Sequence, residues 1–444
     1  MKRIFLNPIN AMAIVLSLGL VTSVSSCKKT EGCTDAAATN YDSEADKDDG
    51  SCEYETNETI TKTGELTANE TWTANNIYVL DGRVVVSNGV TLTIEPGTII
   101  KGAEGQETEA SALIVARGGK LMAEGTAAEP IIFTTVLDGI VQGETESKLS
   151  RTDNEKWGGV AILGKAPISA ENGDTETNLE GIPVEAGYGK YGGTVANDNS
   201  GSLKYVSIRH GGISIGENNE LNGLTLGGVG SGTTIDHIEI YATLDDGIEF
   251  FGGTVNASNL LVYYQGDDGL DIDMNYSGTV SNFAVIHGDG IDTDEGLEID
   301  GPENSTYTEG FFTLENGICM SDGTSDGSAG DFKSKAQGTI RNVTFDYSSI
   351  GGKPVKLRAS YNSDCTNKND AFAYLVASPA RLTFDACEMS GVKVYENADP
   401  TVCDANNAAN QLLAEGAVTI NGAGATINVA TTFSWTNAAA KGQL

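Results

Sequence analysis

Histidine is nearly absent: His210, His237 and His287 are the three in 444 residues. That is too few for a transition-metal centre built on imidazole. Proline is scarce too, 9 against 55 glycines, so proline-rich linkers play no part. Positive charge is in short supply, 27 Lys+Arg against 62 Asp+Glu, for a net charge of −35. Such a field argues against nucleic acid as a partner and repels anionic membrane surfaces unless cations mediate. Beyond the first 26 residues no stretch approaches the ~20 apolar residues of a membrane helix. Helical periodicity is confined to residues 406–414, which leaves an all-β body. No nucleophile elbow supports a serine hydrolase. Gly227-Gly228-Val229-Gly230-Ser231-Gly232 lacks the lysine of a phosphate loop and reads as a coil corner.

What is present is a repeat. Asp245-Asp246-Gly247-Ile248-Glu249-Phe250-Phe251, Asp267-Asp268-Gly269-Leu270-Asp271-Ile272-Asp273 and Asp294-Glu295-Gly296-Leu297-Glu298-Ile299-Asp300 share one pattern at offsets of 22 and 27 residues. Self-similarity at that period marks a solenoid, whose coils bury their apolar faces by stacking. Apolar and acidic residues alternate within each copy, the period of a strand. In register, the acids form the columns Asp245/Asp267/Asp294, Asp246/Asp268/Glu295 and Glu249/Asp271/Glu298, with Asp273 and Asp300 in a fourth. Stacked strands lie ~4.8 Å apart, and two carboxylates at that distance repel by roughly 3.5 kcal/mol at an effective dielectric near 20. No Lys or Arg occurs between Arg209 and Lys333, so relief from opposite charge is not expected locally. The columns must splay into water, take up protons or hold cations, and clustered carboxylate oxygens suit Ca²⁺.

The chain begins as a secretory signal over residues 1–26, Lys2 and Arg3 preceding an apolar run. Its end, Val24-Ser25-Ser26-Cys27, resembles the bacterial lipobox, which makes Cys27 the expected lipidation site and sole membrane anchor. Residues 27–58 form the anchored linker. Within it lies Gly32-Cys33-Thr34-Asp35, then Asn40-Tyr41, then Asp48-Asp49-Gly50-Ser51-Cys52. This resembles a short cysteine-bracketed module of exported Bacteroidetes proteins, implying a Cys33–Cys52 disulfide in an oxidising compartment. Asp46, Asp48 and Asp49 miss calcium-loop spacing and read as a solvated turn.

Residues 59–444 are the body. Short β-branched runs such as Ile77-Tyr78-Val79-Leu80, Val84-Val85-Val86 and Leu92-Thr93-Ile94 are separated by Asp81-Gly82, Asn88-Gly89 and Pro96-Gly97, strong strand and turn signals. Three-strand units recur about every 30 residues. Residues 138–155 and 171–200 lack apolar period and read as surface excursions, as do residues 360–378. Cys319, Cys365, Cys387 and Cys403 allow three connectivities, with Cys365–Cys403 favoured by their loop-like contexts. The pairs Phe250-Phe251, Tyr263-Tyr264 and Phe311-Phe312 should each turn one ring into the core and leave one able to stack on a sugar.

Several phrases, among them Leu92-Thr93-Ile94-Glu95-Pro96-Gly97-Thr98, Trp157-Gly158-Gly159 and Tyr205-Val206-Ser207-Ile208-Arg209-His210-Gly211-Gly212, resemble those of exported Bacteroidetes β-helix lipoproteins. The resemblance implies a right-handed parallel β-helix and no particular reaction. A fainter one is to the β-helical pectin hydrolases, whose Gly-Asp-Asp, Gly-His-Gly and Arg-x-Lys motifs are partly echoed by Gly266-Asp267-Asp268, Ile286-His287-Gly288 and Lys356-Leu357-Arg358. The Asn-Thr-Asp motif is missing, Ile286 replaces a glycine, and the basic pair is reversed and far downstream. Together these lead to an expectation of an outer-membrane lipoprotein, its membrane face open. It would bind Ca²⁺ and serve as a binding or scaffold protein for a glycan or an uptake receptor. The rival is a polysaccharide-degrading enzyme, either a hydrolase using paired carboxylates or a calcium-dependent uronate lyase, which would need Arg209, Lys333 or Lys356 to reach the ladder.

Overall fold

The computed structural model describes residues 29–36, 38–52, 58–216, 219–288, 293–323, 328–361, 370–397 and 407–444. Cys27 and the signal lie outside them. The chain divides into two units, Met1–Thr56 and Asn57–Leu444. In the first, Cys33 and Cys52 form the expected disulfide across a Cα separation of 4.7 Å, and Glu31–Gly32, just before Cys33, pairs in parallel with Lys47–Asp48 inside the loop. A loop of this length gains roughly 3 kcal/mol from closure. Asp48 and Asp49 accept the backbone N–H groups of Gly50 and Ser51, both at 2.9 Å, a self-contained acidic turn.

The second unit is the expected parallel β-helix. Among the described residues, 11 strands from Glu65–Leu66 to Val392–Asn397 stack into one sheet, here the ladder sheet, and a broad sheet holds 16. The strands are two to nine residues long, and alternate apolar residues point inward. One inward column runs Val84, Leu113, Val160, Leu224, Ile248, Leu270, Leu297, every member at most 2 % exposed. Full burial of each such side chain contributes ~1.5–3 kcal/mol.

In the broad sheet, the two strands of the early coils fuse. Lys120–Glu124 and Ile131–Thr135 both pair with the single strand Gly201–Arg209. The broad sheet bends at one register position, within the fused strands at Tyr205, His237, Asn259 and Asn282 and between separate strands at Asn316 and Asn342, all at φ between 48° and 55°. Asparagine tolerates that left-handed conformation best among residues with a side chain. Here Asn282 also donates to Asn259 (3.3 Å) and Asn316 to Asn282 (2.7 Å), tying coil to coil at the corner.

The excursion at 171–200 is more ordered than its composition implies. Glu176–Asn178 and Lys190–Gly192 form an antiparallel hairpin, and Leu179, Ile182 and Tyr191 pack on the outer side of the ladder sheet against Val85, Ile114 and Ala161. The expected helix spans Asn407–Ala417. Cys319 and Cys387 are separate buried thiols, while Cys365 and Cys403 lie outside the described residues. Phe250 and Phe312 are core and Phe311 is exposed, as expected. Both Tyr263 and Tyr264 are buried, contrary to expectation, because Phe433, Ala438 and their neighbours cover that face. Among the described residues no helix is long and apolar enough to cross a membrane.

Candidate functional site

One outward register position of the ladder sheet runs through ten strands: Val85, Ile114, Ala161, Thr225, Glu249, Asp271, Glu298, Asp331, Lys356, Lys393. It is apolar where the hairpin covers it, acidic over four coils, then basic. The acidic stretch is the candidate site.

The repeated glycine makes the stacking tight. A Cβ on Gly247 would stand 2.3 Å from Val262 and 2.6 Å from the Gly269 carbonyl, and one on Gly269 would meet Val285 and the Gly296 carbonyl at the same distances. Glycine is required there by close approach, since these residues carry no positive φ. With the turns drawn together, the second acid of each copy folds over the next coil. Asp246 Oδ1 accepts the Asp268 N–H at 3.0 Å, Asp268 Oδ1 accepts the Glu295 N–H at 2.6 Å, and Ser328 Oγ donates to Glu295 Oε1 at 3.0 Å. That column is buried, Asp246 at 7 %, Asp268 at 4 % and Glu295 at 1 % exposure. Splaying into water therefore describes only the outer column, where Asp267 and Asp294 are exposed and Asp245 half-buried.

Three sets of oxygens converge: Asp245, Asp246 and Asp267; Asp246, Glu249 and Asp271; and Asp268, Glu295 and Glu298, each within 4.8 Å of one another. Calcium–oxygen bonds of 2.3–2.6 Å put oxygens on opposite sides of the ion about 5 Å apart, so the spacing fits. Asp271 Oδ1, Glu295 Oε2 and Asp300 Oδ1 are buried atoms with no hydrogen-bond partner, donors' seats a cation can fill. Eight of the eleven acids singled out in the sequence belong to these sets. Asp273, Asp294 and Asp300 do not: Asp273 turns back to the Met274 N–H at 2.6 Å, and Asp300 faces Lys333 at 3.6 Å.

The electrostatics follow from burial and like charge. Burial, then the charges of neighbouring acids, pushes Asp246, Glu249, Asp268 and Asp271 well above the usual carboxylate range. Asp273 is pushed up to about 7 by burial and by Asp300. Glu295 also rises to about 7, by burial and its bond to Asp294, partly offset by Lys356. Asp294, the bonded neighbour, is lowered.

Relief from opposite charge, not expected locally, does reach the third rung from later coils. Lys333 Nζ lies 2.7 Å from Glu298, Lys356 Nζ bonds Glu295, and Arg358 Nε meets Asp331 at 2.8 and 2.9 Å. On the first rung, Glu249 takes a hydrogen bond from Asn222. Arg209 does not reach the ladder; it is fully buried behind the broad sheet, 3.8 Å from Glu239. His287 is also buried, 3.3 Å from Tyr347 Oη, and burial holds it down at about 4. It is not one of the residues in the three converging sets. Lys333 and Lys356, named for the lyase alternative, do reach the ladder, whereas Asp331 was missed as a site residue because its coil lacks the Asp-Asp-Gly turn. Their alternation, Asp331-Phe332-Lys333 and Val355-Lys356-Leu357-Arg358, carried the signal.

The architecture is that of a parallel β-helix with an acidic outer face, and the fold does not fix a reaction. Residues 64–439 match the family model of the pectate-lyase-like beta-helix domain. The chain belongs to that family. No curated protein matches it, and no solved structure does.

Proposed function

We propose that the chain is an exported, lipid-anchored β-helix that binds Ca²⁺ on its ladder face and, with it, an anionic glycan, as a binding or scaffold protein of the outer membrane. The observation that carries this reading is Glu295, nearly fully buried, with one oxygen unpartnered beside Asp268 and Glu298. Ca²⁺ that binds only the folded state stabilises it by about 2.7 kcal/mol at a hundredfold excess over Kd. Melting should rise with millimolar Ca²⁺ and far less with NaCl at matched ionic strength. Asp268→Asn with Asp271→Asn should erase most of the rise. An unchanged melting temperature after exhaustive chelation, with no Ca²⁺ uptake by calorimetry, sinks the reading.

A uronate lyase is the second reading, favoured by the arrival of Lys333 and Lys356 at the ladder. Its weakness is the protonation state. Burial alone would lower the Lys356 ammonium, but Glu295, Asp331 and Asp294 raise it, and Lys333 is raised in the same way by Glu298 and Asp300. A base that holds its proton so firmly is poorly matched to neutral pH. Incubation with acidic polysaccharides, read as absorbance of unsaturated uronates and as new reducing ends, separates the readings; turnover lost in Lys356→Ala would favour the enzyme. For the anchor, Cys27→Ala should release the chain into a soluble fraction, and a wild type that takes up no lipid label would contradict it.

A further inference from the structure

A cleft with three cations in its lining lies away from the ladder, where the 176–192 hairpin overhangs the ends of the early ladder-sheet strands. It holds about 790 Å³ and is lined by Asn88, Arg117, Lys165, Glu176, Tyr188 and Lys190, with others. In a chain of net charge −35, three cations, Arg117, Lys165 and Lys190, gathered on one wall with the two carboxylates Glu65 and Glu176, call for explanation.

Two of them are spoken for. Arg117 Nη1 and Lys190 Nζ bind the two oxygens of Glu176 at 2.6 and 2.5 Å, and Arg117 also donates to the Gly192 carbonyl at 2.8 Å. These bonds brace the hairpin, and with Glu65 counted the lining keeps one net positive charge, three cations less two carboxylates. Glu176 is held low by Lys190 and Arg117, so it stays ionised. Lys165 is the third cation, and among the described residues it appears in none of the ion pairs. Its Nζ leans over Gly118 from one side and Asn88 Oδ1 from the other: a Cβ on Gly118 would stand 2.9 Å from the ammonium and 2.2 Å from the amide oxygen. Gly118 sits at φ +92°, so the bare floor is also the only residue type that fits the turn without strain. The result is a charged donor, an amide and open space above a glycine, walled by the Tyr188 ring.

We infer that this cleft binds an oxyanion-bearing segment of a glycan, a carboxylated or sulfated sugar, with Lys165 on the anion and Asn88 on a hydroxyl. The volume is that of an ordinary ligand pocket, and polar groups with an aromatic wall suit a hydroxylated ring. From the strand that leads to Arg117 to the strand of Asp271 there are four strand steps, roughly 19 Å along the sheet, so one oligosaccharide can reach both places. The inference takes from the proposed function the class of ligand alone; the cleft needs no cation.

The test is therefore run in EDTA, where a Ca²⁺-loaded ladder cannot contribute. The full chain is titrated by calorimetry with a uronate hexamer, a sulfated hexamer, a neutral hexamer of the same length and inorganic sulfate. One of the two anionic hexamers should bind saturably, with affinity falling as NaCl rises, and the neutral hexamer and free sulfate at least tenfold more weakly. Lys165→Ala should cost about tenfold, the loss of one charge-assisted bond, and Lys165→Arg should retain most of the affinity. Asp268→Asn with Asp271→Asn should change nothing in EDTA, which separates failure of this inference from failure of the ladder reading. Binding that appears only with Ca²⁺, equal binding of the neutral hexamer, free sulfate binding as tightly as the hexamers, or indifference to Lys165→Ala with unchanged circular dichroism each overturns it.

Discussion

Lys356 donates its ammonium to Glu295 across 61 residues of chain, and so occupies an oxygen of the carboxylate that also faces Asp268 and Glu298. The bond makes the third rung of the ladder a competition between a tethered cation and a free one. Lys356→Met should lower the melting temperature of the chelated protein, because Glu295 is left buried with its charge less compensated. It should also tighten Ca²⁺ binding, by roughly fivefold if the tethered charge is worth ~1 kcal/mol. A calorimetric Kd that is unchanged or weaker in the variant would show that Lys356 and the ion do not share this site.

Stability without cation should fall as pH rises. Asp273 and Glu295 titrate near 7 when folded, above their ordinary values, so the unfolded chain gives up these protons first. Their contribution is complete below about pH 4 and is lost as pH rises through 7. Asp246, Glu249, Asp268 and Asp271, all raised, act in the same direction. Urea midpoints in EDTA should drop between pH 5 and 8, and saturating Ca²⁺ should flatten the drop. A midpoint that climbs over this range in EDTA would mean that the ladder is not as buried as its geometry implies.

Gly269→Ala should be among the most damaging single-methyl changes. The new Cβ would lie 2.3 Å from Val285 and 2.6 Å from the Gly296 carbonyl, and the second contact is backbone that cannot turn aside. Overpacking of this kind costs ~1–3 kcal/mol, occasionally more. The same change at Gly89, where nothing lies within 4 Å, meets no steric contact and costs only its φ of +83°. Comparing the two melting temperatures separates crowding from backbone strain: the larger loss should be at Gly269.

The ladder was legible because one side of it obeys a short rule. Register follows from the alternation of Ile248, Phe250, Leu270 and Ile272, since a slip of one residue would turn each apolar side chain outward. That fixes which acids share a column. Depth is not fixed by alternation. Whether Asp246 or Asp245 folds inward depends on which carboxylate meets the next coil's N–H, a fact of the turn backbone. Which rung Lys333 and Lys356 would meet was equally hidden, because Ser328-Ala329 in one coil and Lys353-Pro354 in the next stand where Glu295-Gly296 do and break the visible repeat. Burial of Tyr264 by the last residues of the chain is a contact between segments over 150 residues apart, and no local pattern encodes it.

Those last residues are held by a buried charge. Glu239 accepts the N–H groups of Asn437 and Ala438, both at 2.9 Å, while Arg209 stands 3.8 Å away, both side chains fully buried. Arg209 in turn reaches the Thr145 carbonyl at 2.7 Å, and Ser147 N–H donates to Asn437 at 2.8 Å. One carboxylate thus anchors the C-terminal segment and one guanidinium the 138–155 excursion, each steadying the other. Glu239→Gln keeps the shape but removes the charge that answers Arg209, and breaking a buried pair from one side costs ~3–5 kcal/mol. The loss should be local before it is global: protease should cut near residues 433–441 in the variant under conditions that leave the wild type whole. Arg209→Met with Glu239→Gln removes both buried charges and should recover part of the stability lost by Glu239→Gln alone. A double variant no more stable than that single one would show that Glu239 works through its two backbone bonds and owes little to Arg209.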